Sequence, residues 1–191
     1  MTAPVRTRRK NAFNIYREAE KLASFDEFPM LRPEVDPQVH LSKNDVDQPF
    51  HLACEKDTVL AQMSGKSRVI FADGSVRFFD LVPGEFAYVP AGYAHRILTV
   101  EPGAVIRYKA QKPGNESIIW YCSSCDAEVH RFDWQADEAP VQQGYVEACQ
   151  EFNADVKHRT CGGCGTELPP VDLTAFRWDA ISAKLLEADD E

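Results

Sequence analysis

The chain lacks any apolar run near the roughly 20 residues of a membrane-spanning helix. Its first residues, MTAPVRTRRK, lack the apolar stretch of a secretory leader. Basic charge is also short, with Lys+Arg 21 against Asp+Glu 30 and a net charge of −9. That balance argues against a nucleic-acid partner held through phosphates. The one basic run, Arg6 to Lys10, reads as a short solvated arm. No internal repeat or low-complexity segment breaks the chain. These absences lead to the expectation of a cytoplasmic, reduced protein with no membrane partner. What remains is 191 residues with 44% hydrophobic content, enough for one buried core and an appendage.

Cysteine is where the sequence becomes specific. Cys122-Ser-Ser-Cys125 and Cys161-Gly-Gly-Cys164 are two short chelating pairs in turn-like surroundings. Two such pairs converging from distant segments are what a tetrahedral thiolate metal site needs. A reducing compartment disfavours two disulfides, and a redox C-x-x-C would need a βαβ context that is absent here. A closed four-thiolate site has no open position, so its role is structural or redox rather than hydrolytic. Cys54 and Cys149 are left over and read as plain buried thiols.

From Val39 to Lys109 the chain reads as short strands separated by turn signals. Arg68–Phe71 and Val76–Leu81 flank Asp73-Gly74, a hairpin signal. Strands at this spacing predict an all-β sandwich or barrel. Helical spacing is expected over residues 12–24, around Tyr145–Phe152 and over Ala175–Leu186.

Within this series, Gly84, Pro90, Gly92 and His95 match the second cupin motif position for position. In that motif the histidine turns back into the barrel and can bind a metal. The first cupin motif is degraded. Counted back from Gly65, its glutamate falls at Thr58 and its histidines at His51 and Ala53. If the chain stays extended from His51 to Asp57, residues 51, 53, 55 and 57 share a face. Glu55 or Asp57 would then complete a two-histidine, one-carboxylate set with His51 and His95, as in non-haem Fe(II) oxygenases. His40 is a reserve candidate.

The order of barrel then knuckle resembles bacterial 3-hydroxyanthranilate 3,4-dioxygenase. The segments that carry it are LVPGEFAYVPAGYAH, QKPG at 111–114, WYCSSCDAEVHR at 120–131 and RTCGGCG at 159–165. The resemblance implies an all-β, single-domain cupin (jelly-roll) barrel with an N-terminal helix, a C-terminal rubredoxin-like knuckle and a last helix. It implies Fe(II) at His51, His95 and Glu55 or Asp57, and a second iron or zinc at Cys122, Cys125, Cys161 and Cys164. It also implies dioxygen as co-substrate, and ring opening of a small aromatic to a muconate semialdehyde, as in aromatic catabolism. The family clamps its substrate carboxylate with arginines. One expected arginine position holds Thr99, and an acidic position is replaced by Tyr108 and Lys109, so Arg96 or Arg107 is the candidate clamp. These departures point to a related aminophenol or catechol acid as readily as to 3-hydroxyanthranilate. A binding or regulatory cupin, or a metal-dependent isomerase or lyase, is the alternative. A homodimer is expected, because such barrels pair through exposed strands. The expected divisions are an arm and helix at 1–38, the barrel at 39–115, the knuckle module at 116–170, and a helix with an acidic tail at 171–191.

Overall fold

In the computed structural model, which describes residues 4–189, the strands form two antiparallel sheets. The first holds, in spatial order, β1 (Phe28–Pro29), β2 (Gln38–Asn44), β9 (Gly103–Lys109), β4 (Thr58–Gln62) and β7 (Phe86–Val89). The second holds β11 (Glu128–Gln135), β10 (Asn115–Tyr121), β3 (His51–Cys54), β8 (His95–Glu101), β5 (Lys66–Phe71) and β6 (Phe78–Leu81). From β3 to β10 the chain passes repeatedly from one sheet to the other, a jelly-roll arrangement. The hairpin expected at Asp73-Gly74 joins β5 and β6, with Val69 opposite Phe79.

Strand alternation decides what each face carries. Between the sheets lie Leu52, Leu60, Val69, Ile97, Ile118 and Trp120, all buried. Burying each of the aliphatic ones contributes roughly 1.5–3 kcal/mol relative to exposure. The outer face of the first sheet carries Leu41, Ala61, Ala104 and Ile106. Helices α1 (Ile15–Ala19) and α4 (Trp178–Asp189) cover it with Ala19, Ile181 and Leu185. Helix α2 (Val141–Ala154) packs into the inter-sheet core through Tyr145, Cys149 and Phe152, and Phe152 stacks on Trp120 at 4.1 Å. A short α3 (Val156–Arg159) follows it.

Several expectations are corrected here. Helix α1 is shorter than the 12–24 span: Asn14 caps it at Arg17 N, and Phe25 and Glu27 adopt left-handed φ values of 52° and 41° that no helix continues through. The C-terminal helix starts at Trp178 rather than Ala175, because Asp172 caps a separate turn over Leu173–Ala175. Asp190 and Glu191, the end of the expected acidic tail, lie outside the described residues. The barrel does not stop at 115, since β10 pairs with β3 from Glu116 opposite Cys54 to Ile119 opposite His51. The basic run is not a free arm. Thr7 Oγ1 donates to Glu18 at 2.7 Å, Lys10 pairs with the same carboxylate, and Arg9 donates to Leu31 O at 3.2 Å. Burial opposes the charge on Glu18, yet its Lys10, Lys21 and Thr7 hydrogen bonds hold its pKa down at about 2.

Among the described residues, no helix is long and apolar enough to cross a membrane.

Candidate functional site

The knuckles converge as their spacing requires. Cys122 Sγ lies 3.5 Å from Cys164 Sγ, Cys125 Sγ lies 3.6 Å from Cys161 Sγ, and Cys125 and Cys164 are 3.5 Å apart. A disulfide would need roughly 2.05 Å. Thiolates on one tetrahedral ion at Zn–S of about 2.3 Å sit about 3.8 Å apart. The donor set therefore fits zinc or iron. The two turns repeat each other: Cys122 N donates to Ala127 O and Cys161 N to Thr166 O, both at 2.8 Å. Asp126 and Gly165 take equivalent left-handed positions, with φ of 57° and 76°.

The barrel candidates are not assembled in the same way. Leu52 pairs opposite His95, and His95 opposite Phe71, so these three share the interior face. His51 is one residue from Leu52 and faces the other side, where its ring meets Tyr121 at 4.9 Å. Two histidines on opposite faces of one sheet do not chelate a common ion. Nor does the chain stay extended to Asp57, because β3 ends at Cys54. Glu55 instead accepts from Asn115 N at 2.9 Å and from Lys56 Nζ at 2.9 Å, in solvent. Asp57 accepts from Ala91 N at 2.9 Å and braces the turn before His95.

His95 itself is fully buried and already engaged. Its Nδ1–H donates to Tyr93 O at 3.2 Å, and its Nε2 accepts from Arg107 Nη1 at 2.6 Å. Burial, then the Arg107 charge, holds its pKa well below the usual histidine range. The lone pair that a metal would take is directed at a guanidinium. Arg107 Nε donates to Glu27 Oε1 at 2.9 Å, and Tyr145 Oη donates to Glu27 Oε2 at 2.8 Å. Burial opposes ionisation of Glu27, but Arg107 and Lys109 outweigh it and hold its pKa low. His40 joins through Nδ1–H to Glu27 O at 3.0 Å; burial and Lys109 push its pKa down to about 4. Lys109 pairs with Glu116, both buried. The interior residues present thus do not fit a two-histidine, one-carboxylate iron site. They compose a protein-supplied ion network around Arg107.

Glu27, Glu116 and Tyr145 were not legible as site residues. Arg107 and Lys109 did carry a signal, as charges alternating with apolar residues in GAVIRYK, which demands buried partners.

His51 and Arg96 meet on the outer face, in a cleft of about 460 Å³ between the second sheet and the knuckle module. Its walls include Phe50, Trp120, Tyr121 and Phe176. Arg96 Nε donates to Gln48 O at 2.5 Å, which fixes one edge of the guanidinium. Burial depresses the Arg96 pKa, and Asp47 partly opposes it. His51 is pushed down to about 4 by burial and by Arg96, so it is neutral beside that cation at neutral pH. The cleft is lined by aromatic side chains and one fixed cation, with the Asp47 and Asp172 carboxylates also on its walls.

No family model matches the chain. It is similar to 3-hydroxyanthranilate 3,4-dioxygenases. The Candida albicans enzyme is 28% identical over 102 residues, 53% of this chain and 54% of that protein. The Meyerozyma guilliermondii enzyme is 34% identical over 98 residues, 50% of this chain and 53% of that protein. The Bacillus cereus enzyme is 27% identical over 124 residues, 63% of this chain and 68% of that protein. The chain therefore aligns with about half the length of the two yeast relatives. Among solved structures, hydroquinone 1,2-dioxygenase from Sphingomonas sp. TTNP3 superposes with a TM-score of 0.49 at 11% identity, over 54% of this chain and 33% of that one. A cupin-2 domain protein from Shewanella frigidimarina gives 0.40 at 21% identity, over 46% of this chain and 81% of that one.

Proposed function

We propose that the chain is a ring-cleaving dioxygenase for a small aromatic acid with adjacent amino and hydroxyl groups, or two hydroxyls, on its ring. 3-Hydroxyanthranilate, the acid its relatives are named for, is the first compound to test. The observation that carries the substrate class is the cleft holding Arg96 and His51. A carboxylate pairs with the half-buried guanidinium, and the ring packs against Tyr121. The arginine is cationic in every accessible pH range, and its desolvation makes an anion the fitting occupant. Dioxygen is the co-substrate, with both atoms entering the opened ring. Any metal that assists would require a donor set other than His51, His95, Glu55 and Asp57 as they stand here. The four-cysteine knuckle, with iron or zinc, has no vacant position and acts on stability.

A second reading is favoured by one observation: Arg107 occupies the His95 lone pair. On that reading the cupin binds the same acid without turning it over, as a binding or regulatory module.

Calorimetry and an oxygen electrode separate the two, using the protein with and without added Fe(II) and a panel of aminophenol and catechol acids. Binding with oxygen uptake supports the dioxygenase. Binding without uptake leaves the binding module. No binding by any acid of the panel rejects both, as does affinity unchanged in Arg96→Ala. We further propose a homodimer formed through the sheet edges, where Phe78 on β6 and Phe86 and Tyr88 on β7 are exposed.

A further inference from the structure

We propose that His130, Glu151 and His158 form a second metal site, for a divalent first-row transition ion such as zinc, outside both the barrel and the four-cysteine knuckle. One ligand atom from each of these residues lies within 4.8 Å of the other two. They come from three elements: His130 from β11, Glu151 from α2 and His158 from α3. His130 Nε2 stands 3.0 Å from Glu151 Oε1. Two ligands at about 2.0–2.1 Å from a tetrahedral ion lie about 3.3 Å apart, close to that separation.

The second observation is how the rings are held. His158 Nδ1–H donates to the backbone oxygen of Glu151 at 2.8 Å, so its Nε2 carries the free lone pair. Metal-binding histidines are characteristically oriented in this way, with one ring nitrogen on a carbonyl and the other on the ion. The same residue thus orients one ligand with its backbone and offers its carboxylate as another. His130 is fixed from behind by Trp120 and Phe152, with ring centroids 5.9 and 6.0 Å away. Its Nε2 is buried and faces Glu151 Oε1. The His130 and His158 rings stack, with centroids 4.6 Å apart and an interplanar angle of 21°, so both histidines stand at the same corner as Glu151.

Imidazole and carboxylate donors suit zinc, copper, nickel or cobalt rather than calcium or magnesium. Three protein ligands leave a fourth position, and Glu151 is 45% exposed, so water or a small anion has access to it. Occupancy would fasten the α2–α3 corner to β11. His158 is closely followed by Cys161, so it would also steady the entry to the second knuckle.

The test is zinc uptake by the full chain, read by elemental analysis after equilibration with buffered zinc, in wild type, His158→Ala and Glu151→Gln. Both substituted residues are partly exposed, and far-ultraviolet circular dichroism checks that the fold is kept. The expected result is one zinc beyond the knuckle's in wild type, with its affinity weakened at least about tenfold in each variant. Cobalt(II) added to zinc-loaded protein gives an independent signature: visible bands without thiolate charge transfer, lost in His158→Ala. Wild type that takes up only the knuckle's zinc overturns the proposal. So does an extra zinc held equally well by both variants, which would move it to another part of the molecule.

Discussion

Arg107 joins two buried partners from distant parts of the chain. It holds Glu27 through Nε and His95 through Nη1, in a region closed to water. Removing one partner of a buried charge pair strands the other. Arg107→Met is therefore expected to cost about 3–5 kcal/mol, read as a lower urea midpoint, and Arg107→Met with Glu27→Gln should recover part of it. An Arg107→Met protein as stable as wild type would reject the network. The same network sets a pH dependence. His40 is held at about 4 in the fold against an ordinary value of 6.5. The unfolded chain thus takes up a proton that the folded chain refuses, and stability falls as pH drops from about 6.5 towards about 4. His95 shifts in the same direction, and Glu27, also held low, adds a loss as pH falls through its folded pKa. Urea titrations across this range should show a falling midpoint, and His40→Gln should flatten part of the slope.

At the scale of elements, the knuckle and α2 make separable demands. A metal held by the four thiolates would tie Cys122–Cys125 to Cys161–Cys164, and such sites contribute binding energy on the order of 10 kcal/mol to folding. Cys122→Ser, or a strong chelator, should lower the melting temperature and expose 160–170 to protease before the barrel sheets. Hydrogen exchange would resolve that order. Helix α2 depends on Gly144, because a Cβ there would press into the Trp134 indole. Gly144→Ala should then lose about 1–3 kcal/mol through overpacking, despite alanine's better helix propensity. A gain in stability would show that β11 yields easily. The knuckles were legible because a chelating turn is local, with its donors set by C-x-x-C spacing. The interior carboxylate was not. Glu27 comes from the irregular segment between α1 and β1, and nothing near it in the chain announces Arg107.

For the whole molecule, the exposed aromatics on β6 and β7 carry the proposed dimer. Sedimentation should give twice the 21.5 kDa chain mass, and Phe86→Lys should return it to one chain. A monomeric wild type would reject that pairing. The strand series, the Asp73-Gly74 hairpin, the match at Gly84, Pro90, Gly92 and His95, and the four thiolates all followed from sequence, because each depends on residues a few positions apart. Tertiary structure decided which face each strand turns inward. With a period of two, Leu52 opposite His95 sends His51 to the outer cleft with Arg96, while Arg107 and Glu27, distant in sequence, meet between the sheets. Register between strands is fixed by the summed burial of a whole face, and no short motif contains that sum.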